Sequence, residues 1–409
     1  MIFLARVLVT CARMMYALNT IRLLHKEGHE VYAADSVKSA GGLYSRYVKK
    51  SFIYPYVSRQ SEEFINFILK IVEEHKIDVL LPGFEDAFVI SYYKDRFEGK
   101  VKLLVADFSK VAFLHDKYSV SRLAEKIEIP SPKTVLFRDF EPTEWDFPVI
   151  IKPRRNRGAL GIRFVKDFNE LKKLSGKLNA SEYLVQEPLP RVQYCTTGIA
   201  YNGKLIANVI YKNIREYPEA GGFGTYRISY DIPEITDYVE KIVEEIDYTG
   251  FICADFLYDE KRDTYFITDV NPRMSPGLYV GYASGIDFPK LYVDLLMDPD
   301  SVKPIKAKTG TGSYTGYLEV GWFFAVLFKG KFKKLKGFFG SRKGMMDDVW
   351  DSKDPLPAFV MFFSMLSSAV IGPLFGGQEE FYYTGCLFES EYFPEMQAVE
   401  ELQRKYEAV

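Results

Sequence analysis

The sequence predicts an α/β protein: an N-terminal doubly wound parallel-sheet domain, a central region of paired strands with interspersed helices, and an aromatic-rich C-terminal extension. Three observations carry this. Residues 1–110 alternate short apolar strands with amphipathic helices, the pattern of βαβ units. The middle of the chain carries β-rich runs joined by turn residues. The last third contributes heavily to an aromatic content of 16%.

A chain of 409 residues is long enough for two to four domains. Its composition, 47% hydrophobic and 26% charged, is that of an ordinary globular protein. A net charge of -2 gives no reason to expect a nucleic-acid partner. Cys11, Cys195, Cys253 and Cys386 are scattered without a C-x-x-C pair, which suits buried thiols in a reducing cytosol. His25 and His29 lie one helical turn apart, at a basic helix end where solvation or capping is expected rather than zinc. The apolar N-terminus is interrupted by Arg6 and Arg13 and lacks a small-residue cleavage site. It reads as a strand and a helix start, not a signal peptide, and a cytoplasmic location is expected.

RVLVT (6–10) has the apolar run of a buried parallel strand. ALNTIRLLHKEGHE (17–30) is an amphipathic helix ending at Gly28, and VYAAD (31–35) is the next strand. EEFINFILKIVEEHKI is a helix; DVLLPGFED and KVKLLVAD are strands. No G-x-G-x-x-G follows the first strand, so a dinucleotide site is not expected. Glu85 and Asp86, just past a strand end, are candidate substrate contacts or loop carboxylates without a role.

VAFLHDKYSVSRLAEK reads as one helix, with Lys117 near its start as an ordinary solvated lysine. FPVIIKPRRNRGALGIRFV (147–165) is strand, loop, strand: Lys152 ends the first strand, and Gly158 and Gly161 lie in the loop. Such a loop can present N–H groups to phosphates, helped by Arg154, Arg155 and Arg157; an ordinary basic hairpin has the same pattern. FNELKKLSGKL is a helix, and YLVQEPLP a strand running into a proline-rich hinge from Gln186 to Pro190. CTTGIAYNGKLIANVIYKNIREYP is a hairpin turning at Asn202-Gly203. EAGGFGTYRIS reads as a mobile glycine-rich loop, and ITDYVEKIVEEIDYTG as a helix. GFICADFLYD and TYFITDV are then two strands joined by a polar turn. Asp269 and Asn271, one residue apart, share a strand face; with Asp255 they gather oxygen donors suited to Mg²⁺. Arg273 follows and suits a phosphate oxygen. A solvated hairpin end would use the same residue types.

The ordered set of parts resembles the ATP-grasp superfamily, of the carboxylate–amine ligase type, over residues of roughly 105–290. The set is H-D-K at Lys117, F-P-V-I-I-K-P with its loop, V-Q-E at the hinge, a strand pair, G-F-I-C-A-D-F, and D-V-N-P-R. The resemblance implies a small α/β domain at 1–110, a lid subdomain at 111–190 and a metal and phosphate subdomain at 191–300, with the extension at 301–409. It implies ATP and Mg²⁺ (or Mn²⁺) as cofactors. Lys117 and Lys152 would contact phosphates, with Arg154, Gly158 and Gly161 in the lid. Gln186, Glu187 and Leu189 would receive adenine and Gln193 the ribose. Asp255, Asp269 and Asn271 would hold the metal. Arg273, Lys152 and Asn271 would be the catalytic set, Arg273 facing the transferred phosphoryl. Asp269 where Glu is usual, an arginine-rich lid and Arg191 where glycine is usual depart from the family pattern. The implied reaction activates a small carboxylate as an acylphosphate and passes it to an amine. The glycines at 221–224 would border the acceptor pocket. A carboxyphosphate-forming enzyme of the carbamoyl-phosphate or biotin-carboxylase kind is the alternative; a non-catalytic nucleotide-binding protein tethered to a membrane is another.

Beyond residue 300 the resemblance stops. WFFAVLFKGKFKKLKGFFGSRKG (322–344) reads as a basic aromatic helix, and PLPAFVMFFSMLSSAVIGPLFGG (355–377) is nearly uncharged. Residues 322–377 therefore suit an anionic membrane surface on the cytoplasmic face, with a lipid-linked acceptor, or equally a buried apolar pair of helices. Asp347, Asp348, Asp351 and Asp354 between them read as solvated turn charges. A homodimer is a further option that no residue pattern decides.

Overall fold

The computed structural model describes residues 4–155, 161–217, 222–338, 340–371, 385–389 and 397–407. Arg6–Val9 (β1), Glu30–Asp35 (β2), Val48–Ile53 (β3) and Val79–Leu81 (β4) form a parallel sheet in the order β3-β2-β1-β4. The inner strands are apolar because Met15–Lys26 (α1), Ser61–His75 (α2) and Asp86–Tyr92 (α3) connect and cover them. α1 buries Leu18, Ile21 and Leu24, and the chain leaves it at Gly28 with φ +92°, a conformation that L side chains rarely adopt. The doubly wound N-terminal domain is as expected.

KVKLLVAD, expected as a strand, makes a single bridge from Lys102 to Val79. Side chains take two of its other backbone groups: the Leu104 N–H donates to the Tyr292 hydroxyl at 2.8 Å, and the Ser91 hydroxyl donates to the Ala106 carbonyl. The helix expected over VAFLHDKYSVSRLAEK is two, Phe108–His115 (α4) and Lys117–Lys126 (α5). The break is at Asp116, whose extended backbone and carboxylate cap α5 by accepting the Tyr118 N–H at 3.0 Å.

Thr134–Leu136 (β5), Val149–Pro153 (β6), Arg163–Val165 (β7) and Tyr183–Gln186 (β8) form an antiparallel sheet in the order β5-β8-β6-β7. Phe168–Ser175 (α6) is capped by the Asp167 carboxylate. The third sheet is the largest. Its main strands are Val192–Tyr201 (β9), Lys204–Tyr217 (β10), Phe223–Tyr230 (β11), Gly250–Asp259 (β12) and Thr264–Asn271 (β13). Asn202 and Gly203 both have positive φ, as the two-residue turn between β9 and β10 requires. The expected glycine-rich loop is mostly strand: β11 begins at Phe223 and pairs with β10. Residues 218–221 of that loop, Gly221 among them, lie outside the described residues. Pro233–Ile246 (α7) lies between β11 and β12, and Leu278–Ala283 (α8) and Phe288–Met297 (α9) follow β13 in sequence.

Three short strands beyond residue 300 join the same sheet: Ile305–Lys306 (β14), Gly312–Tyr314 (β15) and Met346–Asp347 (β16). The order is β13-β12-β9-β10-β11-β15-β16, with β14 pairing β10. Three α-helices among the described residues complete this region, Gly316–Phe328 (α10), Leu356–Ile371 (α11) and Gln397–Glu407 (α12). The expected helix over 322–344 stops at Phe328; Gly330 has φ +67°, and the lysines lie in the turns that follow. Among the described residues, no helix is long and apolar enough to cross a membrane.

Two of the expected turn charges are buried. Asp348 accepts from Arg227 Nη1 at 2.6 Å and the Thr315 hydroxyl at 2.7 Å. Asp354 accepts from Arg22 Nε at 3.0 Å, the Ser45 hydroxyl at 2.7 Å and the Arg46 N–H at 2.9 Å. Each pins the C-terminal region to an earlier part of the chain, which no local pattern reveals.

Candidate active site

Residues directly opposite one another across antiparallel strands share a face. Asp269 on β13 faces Asp255 on β12, Asp255 faces Cys195 on β9, and Cys195 faces Tyr211 on β10. Two carboxylates therefore sit at one end of a row whose other members are buried. Asn271, two residues along β13, shares the face; its Nδ2 is 3.4 Å from Asp269 Oδ2. The register shifts between the Asp255–Asp269 and Phe256–Ile267 pairs, which leaves Thr268 of β13 as the extra residue of a bulge next to the carboxylates. Gly277 lies close beneath: a Cβ there would stand 2.2 Å from Thr197 Oγ1 and 2.3 Å from Tyr211 Cε1, so the chain can pass only without a side chain.

Two lysines converge from elsewhere. Lys152, at the end of β6, reaches from the second sheet to donate to the Thr268 carbonyl at 3.3 Å, beside Asp269. Lys117, the first residue of α5, places Nζ 3.3 Å from Asp269 Oδ1. Expected to be solvated, Lys117 is nearly buried instead, because the Asp116 cap fixes where α5 begins. Burial and then the Lys117 charge draw the Lys152 pKa down to about 8, against the pull of Asp269 and Asp255. Burial, reinforced by the Asp269 charge, pushes Asp255 up to about 6, although Cys195 and Gln193 hydrogen-bond its carboxylate.

Arg273 joins this sheet to the N-terminal domain. Its Nη2 donates to Asn271 Oδ1 at 3.1 Å, and its Nε is 3.8 Å from Glu85 Oε1. The guanidinium lies 4.5 Å from the centre of the Phe84 ring. Burial opposes its charge, but Tyr16 and Glu85 more than offset this and hold its pKa above the ordinary value. Glu85 is itself buried, with Oε2 accepting the Phe388 N–H at 2.9 Å. Asp86, the other candidate at this strand end, bonds Thr10 and the Phe84 N–H within the N-terminal domain.

The other expected residues fall around this centre. Gln186 donates to the Thr134 hydroxyl at 2.9 Å. Glu187 accepts the Lys133 N–H at 3.0 Å and stands 3.3 Å from Arg262. Leu189 is half-buried, as is Gln193 on β9. The Arg154 guanidinium is held by Asp116, with Nη2 to Oδ2 at 2.6 Å, and by the Ser181 carbonyl. Gly161 is exposed with φ +75°, and Gly158 and Arg157 lie outside the described residues.

Among the described residues, no three His, Cys, Asp or Glu side chains gather as a metal cluster. The set that fits a cation here is two carboxylates and one amide. All its donors are oxygen, as Mg²⁺ requires, and the mutual repulsion that raises Asp255 is what a divalent ion would offset. Asn271 Oδ1, now accepting from Arg273, would turn to the ion. Asp116 and Thr268 are the contributors that sequence patterns did not single out; a capping Asp directly before Lys117 was the available signal.

A family profile described as an ATP-grasp domain matches residues 114–277, the span that holds both lysines, both aspartates, Asn271 and Arg273. The chain carries an ATP-grasp domain. Among curated proteins it is similar to the C-terminal section of the carbamoyl phosphate synthase large chain of Methanopyrus kandleri, 24% identical over 55% of this chain and 45% of that protein. It is also similar to a D-aspartate ligase of Enterococcus faecium, 22% identical over 65% of this chain and 70% of that protein. It thus spans less than half of the first relative and about two-thirds of the second. Among solved structures, the L-amino acid ligase of Bacillus licheniformis aligns over 74% of this chain and 78% of that one, with a TM-score of 0.56 and 14% identity. That likeness is one of fold.

Proposed function

We propose that this protein is an ATP-dependent ligase that activates a carboxylate as an acylphosphate and couples it to an amine. The observation that carries the reading is the convergence of Lys117 and Lys152 on the Asp255–Asp269 pair, with Arg273 bonded to Asn271 at its edge. Two ammonium groups in a largely buried site suit ATP phosphates. Asp255, Asp269 and Asn271 would hold Mg²⁺ (or Mn²⁺), which when bound neutralises phosphate charge. The adenine would lie at Gln186 to Leu189, where hinge residues combine half-buried apolar surface with backbone polar groups.

The chain's own residues then position and neutralise. Lys117 would exchange Asp269 for a phosphate oxygen, freeing that carboxylate. Arg273, steadied by Glu85 and Phe84, would face the transferred phosphoryl. An oxygen of the substrate carboxylate attacks the γ-phosphorus and the bond to ADP breaks. The amine nitrogen then attacks the acyl carbon, the bond to phosphate breaks, and the amine proton leaves with phosphate or solvent. Similarity to a D-aspartate ligase supports an amino-acid-like carboxylate. Small carboxylates and amines supplied singly and in pairs, with ADP release measured, test this: release that needs both partners supports it, and none from any pair counts against it.

A carboxyphosphate-forming enzyme is the second reading, supported by the similarity to the carbamoyl phosphate synthase section. ADP release that depends on bicarbonate, with no need for another carboxylate, would select it.

A further inference from the structure

The C-terminal helix α12 reaches the nucleotide site through one polar side chain. Val399, Gln403 and Tyr406 are spaced four and then three residues apart, which places them on one stripe of the helix. Val399 and Tyr406 are buried in the core. Tyr406 meets Phe113 of α4 with ring centroids 5.2 Å apart, and its hydroxyl donates to Glu245 Oε1 of α7 at 2.9 Å. The buried stripe of a helix is ordinarily apolar throughout. Gln403 is the polar member of this one and is half-buried, so its amide needs partners inside the fold.

It finds them at the start of α5. Gln403 Nε2 donates to Asp116 Oδ2 at 3.3 Å and to the Ser119 hydroxyl at 2.9 Å. The Asp116 side chain is wholly buried. Its Oδ1 accepts the Tyr118 N–H and Arg154 Nε at 3.2 Å; its Oδ2 accepts Arg154 Nη2 at 2.6 Å and Arg155 Nη2 at 3.4 Å. The Lys117 N–H donates to the Arg154 carbonyl at 3.0 Å. One carboxylate thus fixes both the start of α5, where Lys117 stands, and the residues that follow Lys152 and Pro153. The matched family profile ends at residue 277, so the tie from Gln403 comes from outside the domain that holds the site.

We propose that Gln403 is a positioning residue for ATP binding: it holds Asp116, and through Asp116 it holds Lys117 and Arg154 in the geometry that the phosphates meet. This rests on the reading of Lys117 and Lys152 as phosphate ligands. A buried carboxylate needs its donors, and each arginine that turns toward a phosphate takes one away from Oδ2. Gln403 carries no charge to draw it to a phosphate, and Tyr406 anchors its helix on α4 and α7. It keeps the carboxylate, and with it the cap of α5, in place while the arginines engage.

Titration calorimetry of the full chain with ATP and Mg²⁺, with no carboxylate or amine substrate present, tests it. Gln403→Met keeps the length and packing of the side chain and removes the donor. Its Kd for ATP should rise about three- to tenfold, while its thermal melting stays close to that of the wild type. Gln403→Lys restores a donor and should bind ATP within about twofold of the wild type. Tyr406→Phe loosens α12 without touching Asp116, so it should lower the melting temperature and leave the Kd unchanged. Unchanged affinity in Gln403→Met, no recovery in Gln403→Lys, or an equal loss in Tyr406→Phe would overturn the proposal. A wild-type chain that binds no ATP would overturn the ligase reading and the proposal together, so the two failures are told apart.

Discussion

Asp255 and Asp269 face each other directly across β12 and β13, and Lys117 stands 3.3 Å from the second of them. The lysine attracts Asp269 while the opposed Asp255 carboxylate repels it. Asp269→Asn keeps the shape but removes the charge that Lys117 and a cation would share. ATP turnover should fall about 100-fold or more, while the melting temperature moves by only a few degrees, because the lost ion pair is offset by relief of the repulsion on Asp255. Parallel ADP-release and thermal-melt measurements check both halves.

Lys152 supplies a pH signature. Burial and Lys117 bring its pKa down to about 8, so its ammonium is lost as pH rises past that value. Bound phosphates favour the charged form. ATP binding at pH 8.5 should therefore take up protons, and affinity should weaken up to about tenfold per pH unit above 8. Calorimetry in buffers of different ionisation enthalpy reads the uptake. No uptake at that pH would separate Lys152 from the phosphates.

Asp255 gives the opposite sign. Its folded pKa of about 6 lies above the ordinary 3.8. Near pH 5 the folded chain keeps a proton that the unfolded chain has lost, so without a cation this group's contribution to stability falls as pH rises from about 4 to about 6. Mg²⁺ needs the ionised form. The stabilisation that Mg²⁺ gives in thermal melts should be larger at pH 7 than at pH 5.

Arg227 and Asp348 form a buried pair between β11 and the segment after β16. Asp348→Ala leaves the guanidinium buried without its counter-charge and should cost about 3–5 kcal/mol. Arg227→Met with Asp348→Leu should cost much less. Denaturant unfolding of the three chains measures the difference.

Much of this site was legible because its parts are short and local. D-V-N places Asp269 and Asn271 on one face by strand periodicity alone, K-P ends β6 at Lys152, and Asn202-Gly203 closes the β9–β10 hairpin. The strand β3 was not legible: VKKSFI exposes its lysines at a sheet edge and lacks the buried run of β1. The burial of Asp348 and Asp354 was not legible either, because Arg227 and Arg22 come from distant parts of the chain and a turn carboxylate looks the same paired or solvated. The contact between Arg273 and Glu85 is of the same kind. KVKLLVAD misled because its apolar run is a strand pattern, while two of the groups that would complete a ladder are taken by the Tyr292 and Ser91 hydroxyls.

The most direct test of the ligase reading is ADP release with the wild-type chain and Asn271→Ala, over a panel of amino acids and small carboxylates with amine partners. The wild type should form ADP in equal amount with a new amide, and Asn271→Ala should form neither while melting normally. Undiminished ADP release by Asn271→Ala, or wild-type ADP release without any amide, would contradict the account.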